Sequence, residues 1–499
     1  MKQKKSKPWY RLRNVFLAIV FAIITFLGWA FIEVWQVYTA EPNPTIDSRT
    51  QLRTLAAQHA NVSRSHGEEA WNILIDALEK TDRIELVLQE RIIADGFEPR
   101  DDYDDVYLQY DRVYGGRTFP NNVQREINAL NIMRNEGVFE LLNKFSASGV
   151  AIEPSDSTDP LILDTLKLHR SKMRNVAQLL TASMRLSFND GNYNQLVESC
   201  KNSLALSSTI SFQGTLIDYL IAMAIEQLTL RELQYELIEA SLDEKTCQLL
   251  LNALNKYNFA PIELVIEGER ISLKDQIQWS FSDDGDGDGY LVSGLMEYIM
   301  PGITEPEQTI SGAFASRFSY PSKAELLSLV DQRFDECIAR SQVLPSLRIS
   351  LIPPWGKRSM NSNDHYVLVN MPVDSMLSTI DRRPTLQVIR EGTCIMLAIE
   401  IYNARHSRWP DSLNDLVPEI LPQLPVDTLH GGPFGYRVVD DDRYGRPYFL
   451  YSFGLDATDD GGIELIGSDG EIHLGREALN EPNSAGLDYI INKPRPEEW

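Results

Sequence analysis

An uncharged apolar stretch near the amino terminus, Val15 to Ile32, constrains this chain more than any other feature of its sequence. A helix rises about 1.5 Å per residue, so roughly 20 apolar residues cross the hydrocarbon core of a bilayer. Apolar and aromatic residues carry the stretch past Glu33 to Tyr38. The pattern therefore predicts a membrane-spanning helix over residues 14–38.

The residues that flank this stretch predict its orientation. Residues 1–13 carry six Lys or Arg and no acid, a net charge of +6. Because positive flanks stay on the cytoplasmic side, we expect a single pass of the cell membrane with a cytoplasmic N-terminus and an extracytoplasmic body. A cleavable signal peptide is the alternative, but its apolar stretch usually spans only ~7–15 residues and ends at small residues. Here the bulky side chains of Phe31, Val34 and Trp35 follow instead.

Charge and composition limit the classes of function. The 499 residues carry a net charge of −24, which leaves −30 for the body once the basic tip is set aside. A phosphate-binding face needs concentrated Lys and Arg, so no nucleic-acid partner is expected. The length is sufficient for two or three domains with packed cores, and the 43% hydrophobic and 9% aromatic content excludes wholesale disorder. Four widely separated cysteines predict at most one disulfide.

The predicted fold class is mainly α, ending in a small α+β module. Apolar residues recur at helical spacing through the middle of the chain, with a break at residues 189–192 and capping boxes at residues 241–244 and 322–325. The Pro/Gly/Ser-rich residues 300–320 predict a loop. The predicted domains are a basic tip (1–13), an anchor (14–38), a linker (39–50), a helical extracytoplasmic region (51–360) and the module with its tail (361–499).

The C-terminal module is predicted to begin with a helix at Pro384, because proline suits the first turn of a helix. After Trp409 and Pro410 the pattern changes to short segments separated by turns. Short segments rich in aromatic and aliphatic residues predict strands at 436–439 and 448–451, joined by a polar loop.

No catalytic motif is present in the sequence. A phosphate-binding GxxxxGK[ST] loop, a strand-linked GxGxxG, HExxH, GxSxG and CxxC are all missing. The seven histidines are scattered, and no two have the spacing of zinc ligands. The chain is therefore predicted not to be an enzyme.

Two acidic, glycine-rich loops are candidate metal sites. In the first, Asp284, Asp286, Asp288 and Gly289 match the first half of a calcium-binding loop, although position twelve is Leu295 rather than an acid. A solvated acidic turn is the alternative interpretation of this loop.

The second acidic loop follows a predicted strand and carries Asp456, Asp459 and Asp460 before Gly461 and Gly462. A plain turn, in which the two glycines supply positive φ angles, is the alternative there. Calcium is the cofactor that carboxylates of this kind would bind.

The terminal module resembles a known family in the order of its motifs. These are Trp409-Pro410-Asp411-Ser412-Leu413, Gly432-Pro433-Phe434-Gly435-Tyr436 and Tyr451-Ser452-Phe453-Gly454, followed by the Asp456–Gly462 loop. The order is similar to that of the globular end of the major pseudopilin of type II secretion, whose C-terminal loop binds calcium. The resemblance implies a helix packed on a small antiparallel sheet. It also implies a calcium site near Asp456, Asp459 and Asp460, with the carbonyl of Ser452 as a contributor.

The family's processing signature, a Gly followed by Phe-Thr-Leu-Ile-Glu, is absent from this sequence. The whole chain also resembles a group of large, uncharacterised, single-anchor membrane proteins of planctomycete bacteria. That resemblance rests on the basic tip, the loop at 283–289 and the C-terminal motifs, and it implies no activity.

Three functions follow as hypotheses. The first is a membrane-anchored interaction or envelope-organising protein that binds protein partners. The second is a calcium-dependent assembly component related to the secretion pseudopilins. The third is an extracytoplasmic hydrolase whose site is assembled from distant residues.

Overall fold

The structure is a computed structural model that describes residues 8–42, 44–81, 119–154, 167–282, 289–292, 310–348, 366–462 and 488–495. The chain divides into two compact units, each built from separate stretches of sequence. The first unit comprises residues 1–47, 272–333 and 356–372, and the second comprises residues 48–271, 334–355 and 373–499. The prediction of a mainly helical fold with a small antiparallel sheet is confirmed.

The first helix, α1, spans Pro8–Tyr38. Its segment from Asn14 to Tyr38 is long and apolar enough to cross a membrane. Most of the large apolar side chains along this segment are exposed, including Phe21 (71% exposed) and Phe16 (64%). Such a surface is stable in a hydrocarbon environment and costly in water, which agrees with the predicted anchor.

Helices dominate the second unit. Among the described residues, the α-helices that lie wholly within it are α2 (Ser48–Ala60), α3 (Arg64–Lys80), α4 (Phe119–Asn135), α5 (Val138–Ser148), α6 (Lys167–Asn189), α7 (Tyr193–Ser211), α8 (Leu216–Glu239), α9 (Glu244–Lys256) and a short α13 (Pro345–Arg348), and a 3-10 helix spans Leu413–Leu416. Helices α10 (Ile262–Ser280), α12 (Lys323–Ser341) and α14 (Val367–His406) contribute residues to both units, and α11 (Ile310–Phe318) belongs to the first.

Helix α7 lies at the centre of the second unit. It packs against α5, α6, α8 and α9, and nearly all of its side chains from Leu196 onward are buried. The predicted break before it is confirmed: Gly191 adopts a φ of +68°, and the Asn192 side chain accepts a hydrogen bond from the N–H of Gln195. The break therefore turns the chain and caps the next helix at once.

The predicted cap of α9 and part of the loop predicted at residues 300–320 are wrong. Helix α9 is capped by Asp243, whose carboxylate accepts from the N–H of Thr246, and not by the predicted box at residues 241–244. Residues 310–318, predicted to lie in a loop, form helix α11.

The predicted box at residues 322–325 is confirmed, since the Ser322 N–H donates to Glu325 (2.8 Å) and the Glu325 N–H donates to the Ser322 hydroxyl (3.3 Å).

The last long helix does not begin at Pro384 as predicted, because α14 already begins at Val367 and continues through that proline. A proline inside a helix removes one main-chain donor and leaves the carbonyl four residues earlier without its partner. Here that carbonyl belongs to Ile380, and it accepts a hydrogen bond from the Arg348 guanidinium (2.9 Å). A tertiary contact therefore stabilises a helix that proline would otherwise interrupt.

A small antiparallel sheet completes the second unit. The predicted strands are confirmed as β1 (Gly435–Val438) and β2 (Tyr448–Ser452), and a third strand, β3 (Tyr489–Ile490), pairs with β2 on its other edge. Tyr448 and Leu450 of β2 share one apolar core with Leu397 of α14. A Cβ at Gly392 of α14 would lie 2.7 Å from the Ile491 side chain, so the helix packs against the segment that follows β3. The antiparallel pairing of β2 with β3 places the end of one strand beside the start of the other.

The four cysteines, Cys200, Cys247, Cys337 and Cys394, all lie in the described ranges, and they are buried and form no disulfide with one another. Burial raises the pKa of the Cys200 thiol to about 12. The Cys200 thiol therefore stays protonated, and the buried cysteines act as small apolar side chains in the core.

Candidate cation site beside the C-terminal sheet

Strand pairing assembles a group of carboxylates at one end of the sheet. Asp459 and Asp460 lie in the loop that follows β2, and Asp488 lies immediately before β3. Because β2 and β3 are antiparallel, with Ser452 opposite Tyr489, the end of β2 lies next to the start of β3. Residues almost 30 positions apart in sequence therefore meet.

Asp488 organises the loop. One of its carboxylate oxygens, Oδ2, accepts hydrogen bonds from the N–H groups of Asp460 (3.1 Å) and Gly462 (2.7 Å). Gly462 adopts a φ of +67°, and a Cβ at this position would lie 2.8 Å from the Tyr451 ring. Glycine is therefore required for the loop to close over Asp488.

The segment that carries Asp488 is held at several points. The N–H of Ile491 donates to the carbonyl of Leu450 (2.8 Å), and the Asn492 side chain bridges the N–H of Leu450 (3.0 Å) and the carbonyl of Tyr448 (2.6 Å). Further along, Arg495 forms ion pairs with Glu232 (3.1 Å) and Glu239 (2.8 Å) of α8. The position of Asp488 is thus set by contacts on both sides of the segment.

Two buried oxygens at this site lack hydrogen-bond partners within the described part of the chain. They are Oδ1 of Asp488 and Oδ2 of Asp460. The Asp488 residue is only 6% exposed. Its burial, and the nearby charges of Asp460 and Asp459, raise its pKa to about 6 even though two N–H groups donate to it. Because an unpaired buried carboxylate is costly, this arrangement favours uptake of a proton or a cation.

The other two predicted ligands have different surroundings. Asp459 is exposed, and its Oδ1 accepts from the Gly461 N–H (2.9 Å) and the Tyr451 hydroxyl (3.1 Å). Asp456 is exposed as well, and its Oδ1 accepts from the N–H of Thr458 (3.1 Å) within its own turn. Asp459 therefore lies near the two unpartnered oxygens of Asp460 and Asp488, whereas the hydrogen bond of Asp456 lies within its own turn.

Asp488 is the residue that sequence reasoning missed. It stands alone before the apolar Tyr489–Ile491 and belongs to no acidic run. The first acidic loop, with Asp284, Asp286 and Asp288, lies outside the described residues. Across the described ranges, no three His, Cys, Asp or Glu side chains are grouped as metal ligands, so any ion here would also need main-chain carbonyls or water.

A second polar group near the sheet contains Asp427, His430 and Ser452. The Asp427 carboxylate lies 3.0 Å from Nε2 of His430 and also binds the Ser452 side chain. In a catalytic triad the imidazole lies between the serine and the acid, so that it can take the serine proton. Here the acid lies in the middle and all three side chains are buried. This group connects the Asp427 turn to β2 and lacks the order of a triad.

No protein-family model, no curated protein and no solved structure matches the chain. The structure itself defines a mainly helical protein with one apolar N-terminal helix and a small antiparallel sheet. The resemblances to the secretion pseudopilin and to the planctomycete proteins stay predictions.

Proposed function

We propose that this chain is a membrane-tethered, non-enzymatic binding protein whose extracytoplasmic body takes up a divalent cation in its C-terminal module. The observation that carries the proposal is the buried pair of unpartnered oxygens on Asp460 and Asp488. All groups offered are oxygens, which hard cations prefer, and calcium tolerates an irregular set completed by carbonyls and water. Calcium is thus the cation that fits best.

Direct binding measurements test the cation part of this proposal. Titration of calcium into the purified full-length chain in lipid nanodiscs should saturate with a dissociation constant of about 10⁻⁴–10⁻³ M, the range of extracellular calcium modules. Chelation should reverse the heat signal. A flat titration at about pH 7.5, where Asp488 is ionised, would remove calcium from the proposal.

The tether is supported by the uncharged surface of α1 and the basic tip before it. We expect the chain to stay in the membrane fraction after high-salt and alkaline carbonate washing, because a spanning helix inserts almost irreversibly. Protease added outside intact cells should digest the body and leave the first residues protected. Release of a shortened soluble form would instead identify the stretch as a cleaved signal.

A binding role for the helical body is supported by α8. Along one face it exposes Ile217 (45%), Leu220 (40%) and Leu228 (40%), while its opposite face lies in the core. These positions follow helical spacing, so they form one apolar stripe. Contiguous exposed apolar surface is typical of protein–protein contacts, so a protein partner would cover this stripe with an apolar surface of its own.

Site-specific photocrosslinking in native membranes tests the stripe. A photoreactive residue at Leu220 should give one discrete crosslinked product, because a docked partner holds the same surface against it. The matched control is Gln178, an exposed polar position on α6, which should give none. Equal yields at the two positions would show that the stripe carries no specific partner.

The second candidate function is calcium-dependent assembly of the pseudopilin kind. It is favoured by one observation, the shared core of α14 and the sheet, which is the helix-on-sheet arrangement that the resemblance implies. Under this function the partner would be a further copy of the chain or a related subunit. Crosslinked products at twice the mass of the chain, formed with calcium and lost on chelation, would favour it.

A further inference from the structure

Helix α11 (Ile310–Phe318) lies against the end of the membrane helix. The buried side chains of Val34 and Val37 pack with Ala313. Beside them, Arg317 forms an ion pair with Glu33 (2.9 Å). Both elements belong to the same unit, so α11 is attached where α1 would leave the bilayer.

The side of α11 away from this core is apolar and exposed. Phe314 is 52% exposed and Phe318 is 40% exposed, with their ring centroids 4.8 Å apart. The Phe318 ring also lies edge-on to Trp29 of α1, at 6.2 Å between centroids. The two phenylalanines therefore continue the exposed apolar surface of α1 rather than forming a separate patch.

The depth of this contact follows from the sequence of α1. Glu33 is the first charged residue after the uncharged stretch, so it lies in the outer part of the predicted span. Trp29 lies one turn earlier, about 6 Å deeper at 1.5 Å per residue, which is within the depth that the apolar face of an interfacial helix reaches. Phe318 shares that level because it touches Trp29.

We propose that α11 is a second membrane contact, an interfacial helix whose Phe314 and Phe318 insert into the outer leaflet beside α1. This inference rests on the proposed membrane tether. Lipid is the occupant that the geometry favours, because the patch is continuous with the surface that α1 already offers to acyl chains. An amphipathic interfacial helix buries its apolar face roughly 5–10 Å into the headgroup region.

The pairing of Arg317 is compatible with a position of α11 at the membrane interface. Arg317, the basic residue in its last turn, is neutralised by Glu33 and lies over the Tyr290 ring, 4.4 Å from the centroid. Pairing Glu33 in this way also removes a free carboxylate from the edge of the bilayer. The ion pair therefore lowers the cost of placing both helices at the interface.

Depth-dependent quenching tests the inference on the full-length chain in vesicles. The label is an environment-sensitive fluorophore attached at F314C, and the quencher is a nitroxide on carbon 5 of the lipid acyl chain. The native cysteines are buried, so an introduced surface thiol is labelled selectively. The matched control is A324C, an exposed position on α12 in the same unit, and F21C on the exposed surface of α1 reports on the tether.

Nitroxide lipid should reduce F314C emission to roughly half, as expected for a group at the acyl boundary, while A324C emission stays unchanged. Quenching at F21C without quenching at F314C would overturn the interfacial helix and leave the tether intact. Absence of quenching at F21C would overturn the tether and this inference with it. Equal quenching at F314C and A324C would show no specific contact by α11, which also overturns the inference.

Discussion

Replacing Arg390 by methionine should lower the free energy of unfolding of the second unit by about 3–5 kcal/mol, the usual cost of removing one partner from a buried ion pair. Arg390 is 7% exposed and donates to the carboxylate of Glu226, which is completely buried. It also donates to the carbonyls of Leu254 and Tyr257, the latter at 2.6 Å. R390M would leave a buried charge and the carbonyl end of α9 without partners.

Denaturant unfolding of the chain in nanodiscs, followed by tryptophan fluorescence, measures this loss. R408M is the matched control, because Arg408 pairs with Asp411 on the surface, and it should cause no resolvable change. The double variant R390M/E226L should regain much of the loss, since it removes the unpaired charge as well. If R390M alone unfolds like the natural chain, Arg390 does not hold the α8, α9 and α14 helices together.

Replacing Asp488 by asparagine should abolish the stabilisation of the C-terminal module by calcium. A ligand at about 100 times its dissociation constant adds roughly 2.7 kcal/mol to the stability of a fold that alone binds it. D488N keeps an oxygen for the N–H groups of Asp460 and Gly462 but removes the charge that attracts the cation. Without calcium the variant should therefore be at least as stable as the natural chain.

Unfolding measured with calcium and with chelator separates these effects. D456N is the matched control, because Asp456 bonds within its own turn, and it should keep the full calcium response. Loss of the response in D456N, with D488N unaffected, would place the cation on the exposed part of the loop. Loss in neither variant would remove the site from the sheet altogether.

The pH dependence follows from the raised pKa of Asp488, about 6 compared with 3.8 for a free aspartate. A raised carboxyl pKa contributes stability that is fully present below about pH 3.8 and is lost as the pH rises through 6. Calcium competes with that proton, so its affinity should fall by about tenfold between neutral pH and pH 5. The affinity of D456N should follow the same curve as that of the natural chain.

Local sequence patterns were sufficient to predict the elements whose conformation depends on their own residues. The apolar stretch of α1, the glycine turn before α7 and the aromatic and aliphatic content of β1 and β2 each depend on residues within one element. Periodicity and turn chemistry act over a few residues. These elements were therefore predictable from the sequence, including the predicted break at residues 189–192.

Contacts between residues far apart in the sequence determine the conformation of the elements that were predicted wrongly. The guanidinium of Arg348 satisfies the carbonyl that Pro384 frees, so α14 continues through a residue that normally interrupts a helix. Helix α11 forms in a Gly- and Ser-containing stretch, where Ala313 packs on α1 and the Ser316 hydroxyl donates to the carbonyl of Leu291. Neither contact leaves a signal in the local sequence.

The candidate cation site and the proposed membrane contact also combine local features of the sequence with contacts between distant residues. The sequence alone determined that an acidic, glycine-rich loop follows a strand, and that an uncharged stretch near the N-terminus is long enough to span a bilayer. The tertiary structure alone brought Asp488 to Asp460 and Phe318 to Trp29 of α1. The reason is physical: charge and hydrophobicity belong to single residues, whereas a site requires distances between residues far apart in the chain.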